Sequence, residues 1–211
     1  MIDLLAIPLA ALAGTGFQAS SAPVSEPVRA EVKAAGDWRP GCPVGFSELR
    51  TLTVTHWDWD GQRATGRLIV NRKAVRPLTS VFKQLYGLRF PIRHMSIVSA
   101  YGPRSRAPKS TDVSGTFECR RAVPSPCGSG TGNWSNHAYG MALDLNPAEN
   151  PYVGCGMSRD PAAQKYRDRR HHRKGMVTAR AVGAFRSVGW GWGGSWSGDT
   201  KDYMHFSPSG H

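Results

Sequence analysis

The sequence predicts a small α+β domain in which helices pack on an antiparallel sheet. Alternating apolar and polar residues predict strands, apolar residues at helical spacing predict amphipathic helices, and turn signals separate these segments. The chain has 211 residues, of which 40% are hydrophobic and 20% charged, so it can form one domain with a core of its own.

The first 40 residues are expected to lie outside this domain. An apolar run ends at Ala13 and small residues follow up to Ala22, which resembles a secretory signal, although no basic residue precedes the run. The run is too short to span a membrane. The stretch up to Pro40 is rich in Ala, Pro, Ser and Val, so residues 1–40 are interpreted as leader and linker and 41–211 as the domain. Export is favoured over a cytosolic chain with an apolar N-terminus.

The domain is predicted to begin with a hairpin and a helix. Leu49–Trp57 alternates apolar and polar residues as a half-buried strand does, Asp60-Gly61 is a turn signal, and 66–71 is the second strand. Apolar residues then recur at helical spacing over 74–86, and Pro77 falls in the first turn, where proline is tolerated.

Short elements and long loops are expected in the rest of the domain. Residues 94–100 are interpreted as a core strand, and 141–146 and 203–207 as two further short strands. The stretch 102–132, rich in Gly, Pro and Ser, is expected to be a functional or poorly ordered loop. A second helix is predicted from the apolar residues Val177, Ala181, Phe185 and Val188.

Residues 135–144 (SNHAYGMALD) carry the strongest indication of chemistry. Alternate residues of a strand share a face, so Gly140, Ala142 and Asp144 are expected on one side and the larger apolar residues on the other. The first side has little bulk and ends in a carboxylate, and His137 approaches it from the preceding turn. This arrangement suits a cation better than it suits packing.

The segment 202–206 (DYMHF) is expected to complete the site. Its core-facing residues turn His205 toward His137 and Asp144. Two imidazoles and one carboxylate around an open fourth position are typical of a hydrolytic zinc site. Asp202 lies three residues before His205, so it must precede the strand or lie on a bulge to face the site.

The expected mechanism follows from these charges. Zinc lowers the pKa of a bound water to about 7. Asp202 is expected to take the proton as general base and deliver it to the leaving amine, with Asp199 as the competing candidate. An arginine would stabilise the oxyanion or hold a terminal carboxylate.

Three motifs together resemble a known family: SNHAYGMALD (135–144), NPAENPY (146–152) and DYMHF (202–206). They look like the zinc D-alanyl-D-alanine carboxypeptidases, which include VanY-type enzymes and some phage endolysins and are distantly similar to the Hedgehog zinc domain. The resemblance implies zinc at His137, Asp144 and His205, with Asp202 as base. It also implies Arg120 on the substrate carboxylate or scissile carbonyl and Ser135 in the pocket. Residues 112–120 (DVSGTFECR) depart from the family's usual DNTSAFNCR, which leaves substrate preference open.

The resemblance implies a peptidase of bacterial peptidoglycan, with stem peptides as its partners, secreted or associated with the cell wall and monomeric. The leading expectation is a D-alanyl-D-alanine carboxypeptidase, which needs a pocket closed at one end. The alternatives are an L-alanyl-D-glutamate-type endopeptidase, which needs an open groove, and a non-enzymatic zinc-stabilised wall-binding domain, which would have no use for Asp202.

Four cysteines in an exported chain predict two disulfides. Three pairings are possible, and Cys42–Cys119 with Cys127–Cys155 is favoured. No spacing is C-x-x-C, so a cysteine zinc site is not expected.

The net charge of +12 favours an anionic partner. The basic stretch 167–174 (RDRRHHRK) lacks interleaved aromatic residues, so it is interpreted as a solvated loop that contacts anionic wall polymers rather than specific nucleic acid. His171 and His172 are adjacent in this cationic loop and are not expected to bind metal. The three tryptophans within 190–196 are expected to pack against the strand of His205 rather than to form a sugar-binding platform.

Overall fold

The computed structural model describes residues 16–99, 112–122, 132–155, 157–158 and 161–211, and their fold is α+β, as predicted. The helices are α1 (Glu26–Ala35), α2 (Val75–Gly87) and α3 (Ala179–Arg186). The strands are β1 (Ala19–Pro23), β2 (Leu49–Trp57), β3 (Arg63–Asn71), β4 (His94–Met95), β5 (Val113–Ser114), β6 (Leu143–Asp144), β7 (Tyr152–Gly154), β8 (Met157–Ser158), β9 (Gly191–Trp192), β10 (Lys201–Asp202) and β11 (His205–Ser207).

The strands within these ranges form four small sheets rather than one. Strands β1, β2 and β3 make an antiparallel sheet in that order. Two further antiparallel sheets have the orders β6-β11-β9 and β10-β7-β8, and β4 pairs with β5 in parallel. The strands that carry the predicted site are therefore separate from the long hairpin.

The β2–β3 hairpin is the framework of the domain. Its register is continuous from Leu49 opposite Asn71 to Trp57 opposite Arg63, so β2 is confirmed and β3 begins three residues earlier than predicted. The predicted turn is also present. Within it, Asp58 Oδ1 accepts hydrogen bonds from the backbone amides at positions 60 and 62.

Each face of the hairpin contributes to a separate hydrophobic core. Leu68 and Val70 pack on one face with residues of α2, α3 and β11. Ile69 points to the other face, where it packs with Val28 and Val32 of α1. Helix α2 confirms the predicted helix within one residue at each end, and α3 lies where the second helix was predicted.

The interpretation of residues 20–40 as a linker is wrong. Strand β1 pairs along its length with β2, and α1 buries Val28 and Val32, which lie one helical turn apart. Pro27 occupies the first turn of α1, and Gly36 ends the helix in the left-handed conformation. Folded structure therefore begins before Gly41. A stripe of two valines is too short to be recognised by periodicity within an Ala- and Pro-rich segment.

The strands predicted around the site are too long. Strand β4 ends at Met95, β6 comprises only Leu143–Asp144, and β11 begins at His205. Side chains replace neighbouring strands as hydrogen-bond partners here: the Asn146 amide donates to Ser114 Oγ at 3.0 Å. Most of the predicted loop 102–132 lies outside the described residues.

The disulfide between Cys42 and Cys119 is present, with its Cα atoms 5.7 Å apart. It joins the segment after α1 to the residue next to Arg120. Cys155 is also disulfide-bonded, whereas its predicted partner Cys127 lies outside the described residues. No helix in the described ranges is long and apolar enough to cross a membrane.

Candidate metal centre

A short 3₁₀ helix, Asn136–Tyr139, presents the first histidine. Ser135 caps this helix, because its Oγ accepts a hydrogen bond from the His137 amide at 3.2 Å. The imidazole is buried, and its Nδ1 lies 2.6 Å from the carbonyl oxygen of Thr116. A carbonyl oxygen can only accept a hydrogen bond, so Nδ1 carries the proton. Nε2 then keeps a lone pair that can bind a metal ion.

Gly140 ends this 3₁₀ helix and brings it against β3. It adopts φ 64°, and a Cβ added there would lie 2.7 Å from the Asn71 backbone nitrogen. The Asn71 amide donates to the Gly140 carbonyl at 2.8 Å. The predicted face shared by Gly140, Ala142 and Asp144 is therefore wrong: Gly140 closes a turn, and Ala142 is fully buried.

Asp144 and His205 lie directly opposite each other on β6 and β11. Side chains of such cross-strand partners project to the same face and lie close together. Gly115 forms a bridge on the other edge of β6, where its amide and the Asp144 amide each donate to the other residue's carbonyl, at 3.1 and 2.9 Å. The backbone of Asp144 is thus held from both sides.

The three predicted ligands converge on one point. His137 Nε2 lies 3.2 Å from Asp144 Oδ1 and 3.3 Å from His205 Nδ1, and His205 Nδ1 lies 3.2 Å from Asp144 Oδ1. These three atoms form a nearly equilateral triangle. Within the described part of the chain, this is the group of His, Cys, Asp or Glu residues that could hold a metal ion.

The charges of the triangle reinforce one another. Burial alone would raise the pKa of the Asp144 carboxyl, but His137 and His205 outweigh it and hold that pKa well below its usual range. Burial opposes protonation of His205, yet the hydrogen bond and charge of Asp144 raise its pKa above the ordinary value. The site therefore keeps an ionised carboxylate and favours a proton on His205, which a bound divalent cation would displace to obtain two imidazole donors and one carboxylate.

Asp202 lies at the end of β10, one short bend before β11. It belongs to a different sheet from His205, in agreement with the predicted break between the two residues. Burial raises the pKa of Asp202 to about 7, the charge of Asp144 adds to this effect, and His205 and Arg120 oppose it. Its Oδ1 is buried without a hydrogen-bond partner in the described residues. Asp202 is thus a carboxyl that can hold or release a proton near neutral pH.

Arg120 and Ser135 lie on the His137 side of the centre. Arg120 Nε donates to Glu118 Oε2 at 2.9 Å, and the Arg120 carbonyl accepts from the Ser135 amide at 3.1 Å. The Arg120 side chain is 30% exposed. Ser135 is buried and its hydroxyl caps the helix of His137. The charge of Arg120 lowers the pKa of the Asp202 carboxyl, and Ser135 holds the helix that carries His137.

Two asparagines hold the backbone near Asp144, and the sequence motifs did not indicate this role. Asn146 follows Asp144 by two residues in a left-handed conformation, and its Nδ2 donates to the carbonyls of Pro91 and Gly175 at 2.8 and 3.1 Å. Asn150 Nδ2 donates to the Leu145 carbonyl at 2.9 Å. The spacing of the two asparagines in NPAENPY is evident from the sequence, but their hydrogen-bond partners are not.

The basic stretch 167–174 is only partly a solvated loop. Arg169 is turned inward, donating to the Glu149 carbonyl and to Asn150 Oδ1 at 3.0 and 3.1 Å and lying over the Tyr203 ring. The prediction of a solvated loop is therefore wrong at Arg169. The cationic residues from position 172 onward are exposed.

Trp190 and Trp192 pack against the core, as predicted, whereas Trp196 is half-buried and stacks on His211. Trp190 is buried beside Phe185. Trp192 stacks on Phe206, and its Nε1 donates to the Tyr203 carbonyl at 2.8 Å. These contacts support the strand of His205 from the core side.

The geometry brings together two histidines and an aspartate that could hold a metal ion. Residues 129–208 match the sequence model of a family described as D-alanyl-D-alanine carboxypeptidase. The match includes all three predicted ligands and Asp202, covers less than half of the chain, and confirms the resemblance inferred from the motifs. It supports a cell-wall peptidase. Comparisons with curated proteins and with solved structures find no match.

Proposed function

We propose that this protein is a zinc-dependent peptidase of peptidoglycan that acts as a D-alanyl-D-alanine carboxypeptidase. The observation that carries the proposal is the triangle of His137, Asp144 and His205, with edges of 3.2–3.3 Å. Tetrahedral zinc with bonds of about 2.0–2.1 Å separates neighbouring ligand atoms by about 3.3 Å. The donor set and its spacing therefore fit zinc without rearrangement of the side chains.

The proposed reaction uses the carboxyl of Asp202 to move a proton. A zinc ion in the triangle supplies Lewis acidity, which polarises a peptide carbonyl and acidifies water. Asp202 takes a proton from the attacking water and returns it to the leaving amine, a task for which a pKa of about 7 is suited. A purely structural metal site would leave this buried carboxyl, whose Oδ1 has no hydrogen-bond partner in the described residues, without a role.

Arg120 is proposed to bind the terminal carboxylate of the substrate. Glu118 anchors the guanidinium through Nε, and Nη1 makes a long contact of 3.4 Å to the Arg121 carbonyl. The outer N–H groups remain available for a planar carboxylate, which arginine binds with two parallel hydrogen bonds. Ser135 is proposed to orient His137. It is also proposed to line the edge of the substrate pocket to which Arg120 belongs.

The proposed location is the cell wall or the medium. The Cys42–Cys119 disulfide supports this location, because such bonds persist in oxidising compartments. The family match supports peptidoglycan stem peptides as the substrate.

The decisive experiment is mass spectrometry of the products from a purified muropeptide mixture, combined with metal analysis of the protein. We expect one zinc per chain and loss of a single terminal D-alanine from pentapeptide stems. Release of internal fragments would identify an endopeptidase instead. A metal-free protein with no hydrolysis would overturn the proposal.

Asp202→Asn tests the role of the carboxyl. We expect zinc to be retained and hydrolysis to fall about 10²–10⁴-fold, the usual contribution of a general base. The matched control is Asp199→Asn, because Asp199 is exposed and lies three residues away. Full activity in Asp202→Asn would remove this residue from the mechanism.

Arg120→Ala tests whether Arg120 binds the terminal carboxylate of the substrate. Cleavage should fall more for a substrate with a free C-terminal carboxylate than for its amidated form. Arg121→Ala is the control, because Arg121 lies over the Trp134 ring and donates to the Gly132 carbonyl. Equal losses on both substrates would favour the endopeptidase.

A further inference from the structure

A pocket of about 490 Å³ lies away from the metal centre. Its wall is made by the tip of the β2–β3 hairpin, the chain that follows α2, and the segment that leads into α3. Arg89, Lys174 and Arg180 line it, together with Trp57 and Trp59, and its lining includes none of the proposed ligands or catalytic residues. We call it the cationic pocket.

Three cations of this pocket outnumber its two carboxylates, those of Asp58 and Asp60. Arg89, Lys174 and Arg180 are exposed, and none of them forms an ion pair within the described ranges. Lys174 Nζ donates to the Trp59 carbonyl, a neutral partner that leaves its charge in place. The Asp58 carboxylate accepts from two turn amides, which leaves its negative charge in place, and Asp60 also lines the pocket, so the three cations face two anions there. His172 adds a further proton-binding group at the rim.

Arg89 has a backbone conformation that glycine adopts with less strain than arginine does. Arg89 adopts φ 52°, in the left-handed region where glycine is the least strained residue. Its guanidinium carbon lies 4.3 Å from the centre of the Trp57 ring, which holds the charge at the pocket wall. An arginine in this conformation is consistent with a function of its side chain at the pocket wall.

The aromatic rings of the pocket are already covered. Trp57 stacks on Tyr86 with ring centres 5.1 Å apart and also carries Arg89. Arg93 and Lys174 lie 3.5 and 4.9 Å from the centre of the Trp59 ring. Stacking of bases on aromatic side chains is a main source of affinity for single-stranded nucleic acids. A ligand of this pocket is therefore recognised through its charge rather than by stacking.

We propose that the cationic pocket binds the phosphates of an anionic wall polymer, a chain of phosphodiesters without bases. Arginine and lysine are the side chains best suited to phosphate. The overall charge of +12 would draw such a polymer to the protein. The choice of a wall polymer rests on the proposed function, but binding does not require hydrolysis. Such binding would hold the enzyme at the wall while the metal centre acts on stem peptides.

The test compares two triple variants of equal charge. In the first, Arg89, Lys174 and Arg180 are each changed to Gln. In the control, Arg67, Arg76 and Arg186 are changed to Gln; these residues are exposed and do not line the pocket. Binding to poly(glycerol phosphate), inorganic phosphate and single-stranded DNA is measured across a series of salt concentrations, and circular dichroism checks that both variants fold.

We expect the unmodified protein to bind poly(glycerol phosphate) with an affinity that falls as salt rises. Each phosphate contact contributes about 0.7 to the slope of log affinity against log salt for a flexible strand, so the pocket variant should lose about 2 from this slope. Its affinity should fall about tenfold or more near 0.1 M salt, whereas the control should bind as the unmodified protein does.

Several outcomes would overturn the proposal. Equal losses in both variants would show that binding depends on overall charge rather than on the pocket. Binding of DNA as tight as that of the polymer would indicate a nucleic-acid site, and inorganic phosphate binding as tightly would indicate a site for single phosphates. Absence of binding with intact hydrolysis of soluble muropeptides would remove this inference alone, whereas binding without hydrolysis would remove the proposed peptidase function alone.

Discussion

The β2–β3 hairpin and the metal centre are constructed in different ways. The hairpin has two strands of nine residues in continuous register, with a hydrophobic core on each face. The metal centre uses strands of two or three residues, and bonds such as His137 Nδ1 to the Thr116 carbonyl hold its side chains. The difference suggests that stability resides mainly in the first region and chemistry in the second. Substitutions should therefore separate the two properties.

The largest expected effect is on activity, from His137→Ala. Loss of one of three proposed ligands should abolish metal binding and reduce hydrolysis to background, while the unpaired Thr116 carbonyl should cost the metal-free protein about 1–3 kcal/mol of unfolding free energy. Metal analysis, the muropeptide assay and denaturant unfolding in a chelator measure the three quantities. His172→Ala is the control, because His172 is an exposed histidine outside the triangle. Unfolding of His137→Ala at room temperature would show that the centre also stabilises the fold.

The largest expected effect on stability comes from the opposite region, with Phe82→Ala. Phe82 is 1% exposed in the core between α2 and the hairpin, so its truncation should cost about 3–5 kcal/mol of unfolding free energy. Denaturant titration measures this cost. The specific activity per folded molecule should be unchanged, and the exposed neighbour Lys83→Ala should alter neither property. A lower specific activity of folded Phe82→Ala would contradict the separation of roles.

The difference between the β2–β3 hairpin and the metal centre also explains which features the sequence could predict. Regular elements are predictable because they repeat: β2 alternates buried and half-buried residues from Leu52 to Trp57, and α2 has four buried residues at helical spacing. The cluster of His137, Asp144 and His205 was predictable because the three residues occur in recognisable motifs. Two-residue strands such as β6 have no periodicity, so their bounds could not be obtained in the same way.

The remaining features depend on contacts between distant parts of the chain. The Thr116 carbonyl that orients His137 is a backbone group, which no residue type identifies. Arg169 lies in a run of basic residues, but its guanidinium points inward because it donates hydrogen bonds to Asn150 and to the Glu149 carbonyl. Helix α1 is stabilised by packing on Ile69 rather than by its own composition.

Gly140→Ala should affect both regions, because Gly140 joins them. The added Cβ would lie 2.7 Å from the Asn71 nitrogen of β3, in a backbone with φ 64°. We expect a cost of about 1–3 kcal/mol together with weaker metal binding, since His137 shares the same 3₁₀ helix. The control is Gly61→Ala, which has φ 76° but no atom within 4 Å of the added Cβ. An equal cost in both variants would mean that conformation alone matters at Gly140.

An effect smaller than that of Phe82→Ala is expected at a buried acid, Asp112. Asp112 is 3% exposed, its Oδ1 accepts from the Ala148 amide at 2.9 Å, and Arg93 Nε lies 3.3 Å from its Oδ2. Burial and the neighbouring Glu149 raise the pKa of Asp112 to about 7. Glu149 Oε2 is itself buried without a hydrogen-bond partner in the described residues. A proton on Asp112 therefore favours the folded state.

This shift fixes the sign of a pH effect. Between the ordinary pKa of 3.8 and about 7, the folded protein keeps a proton that the unfolded chain has released, so stability falls as the pH rises through this window. Asp112→Asn removes the titration and lets an amide N–H face Glu149. We expect the variant to equal the unmodified protein at pH 3 and to be about 2 kcal/mol more stable at pH 8, measured by denaturant unfolding. The exposed Asp60→Asn is the control and should leave the pH dependence unchanged. A variant less stable at pH 8 would show that the ionised carboxylate and Arg93 form a stabilising pair, and that the acid strengthens the fold rather than weakening it.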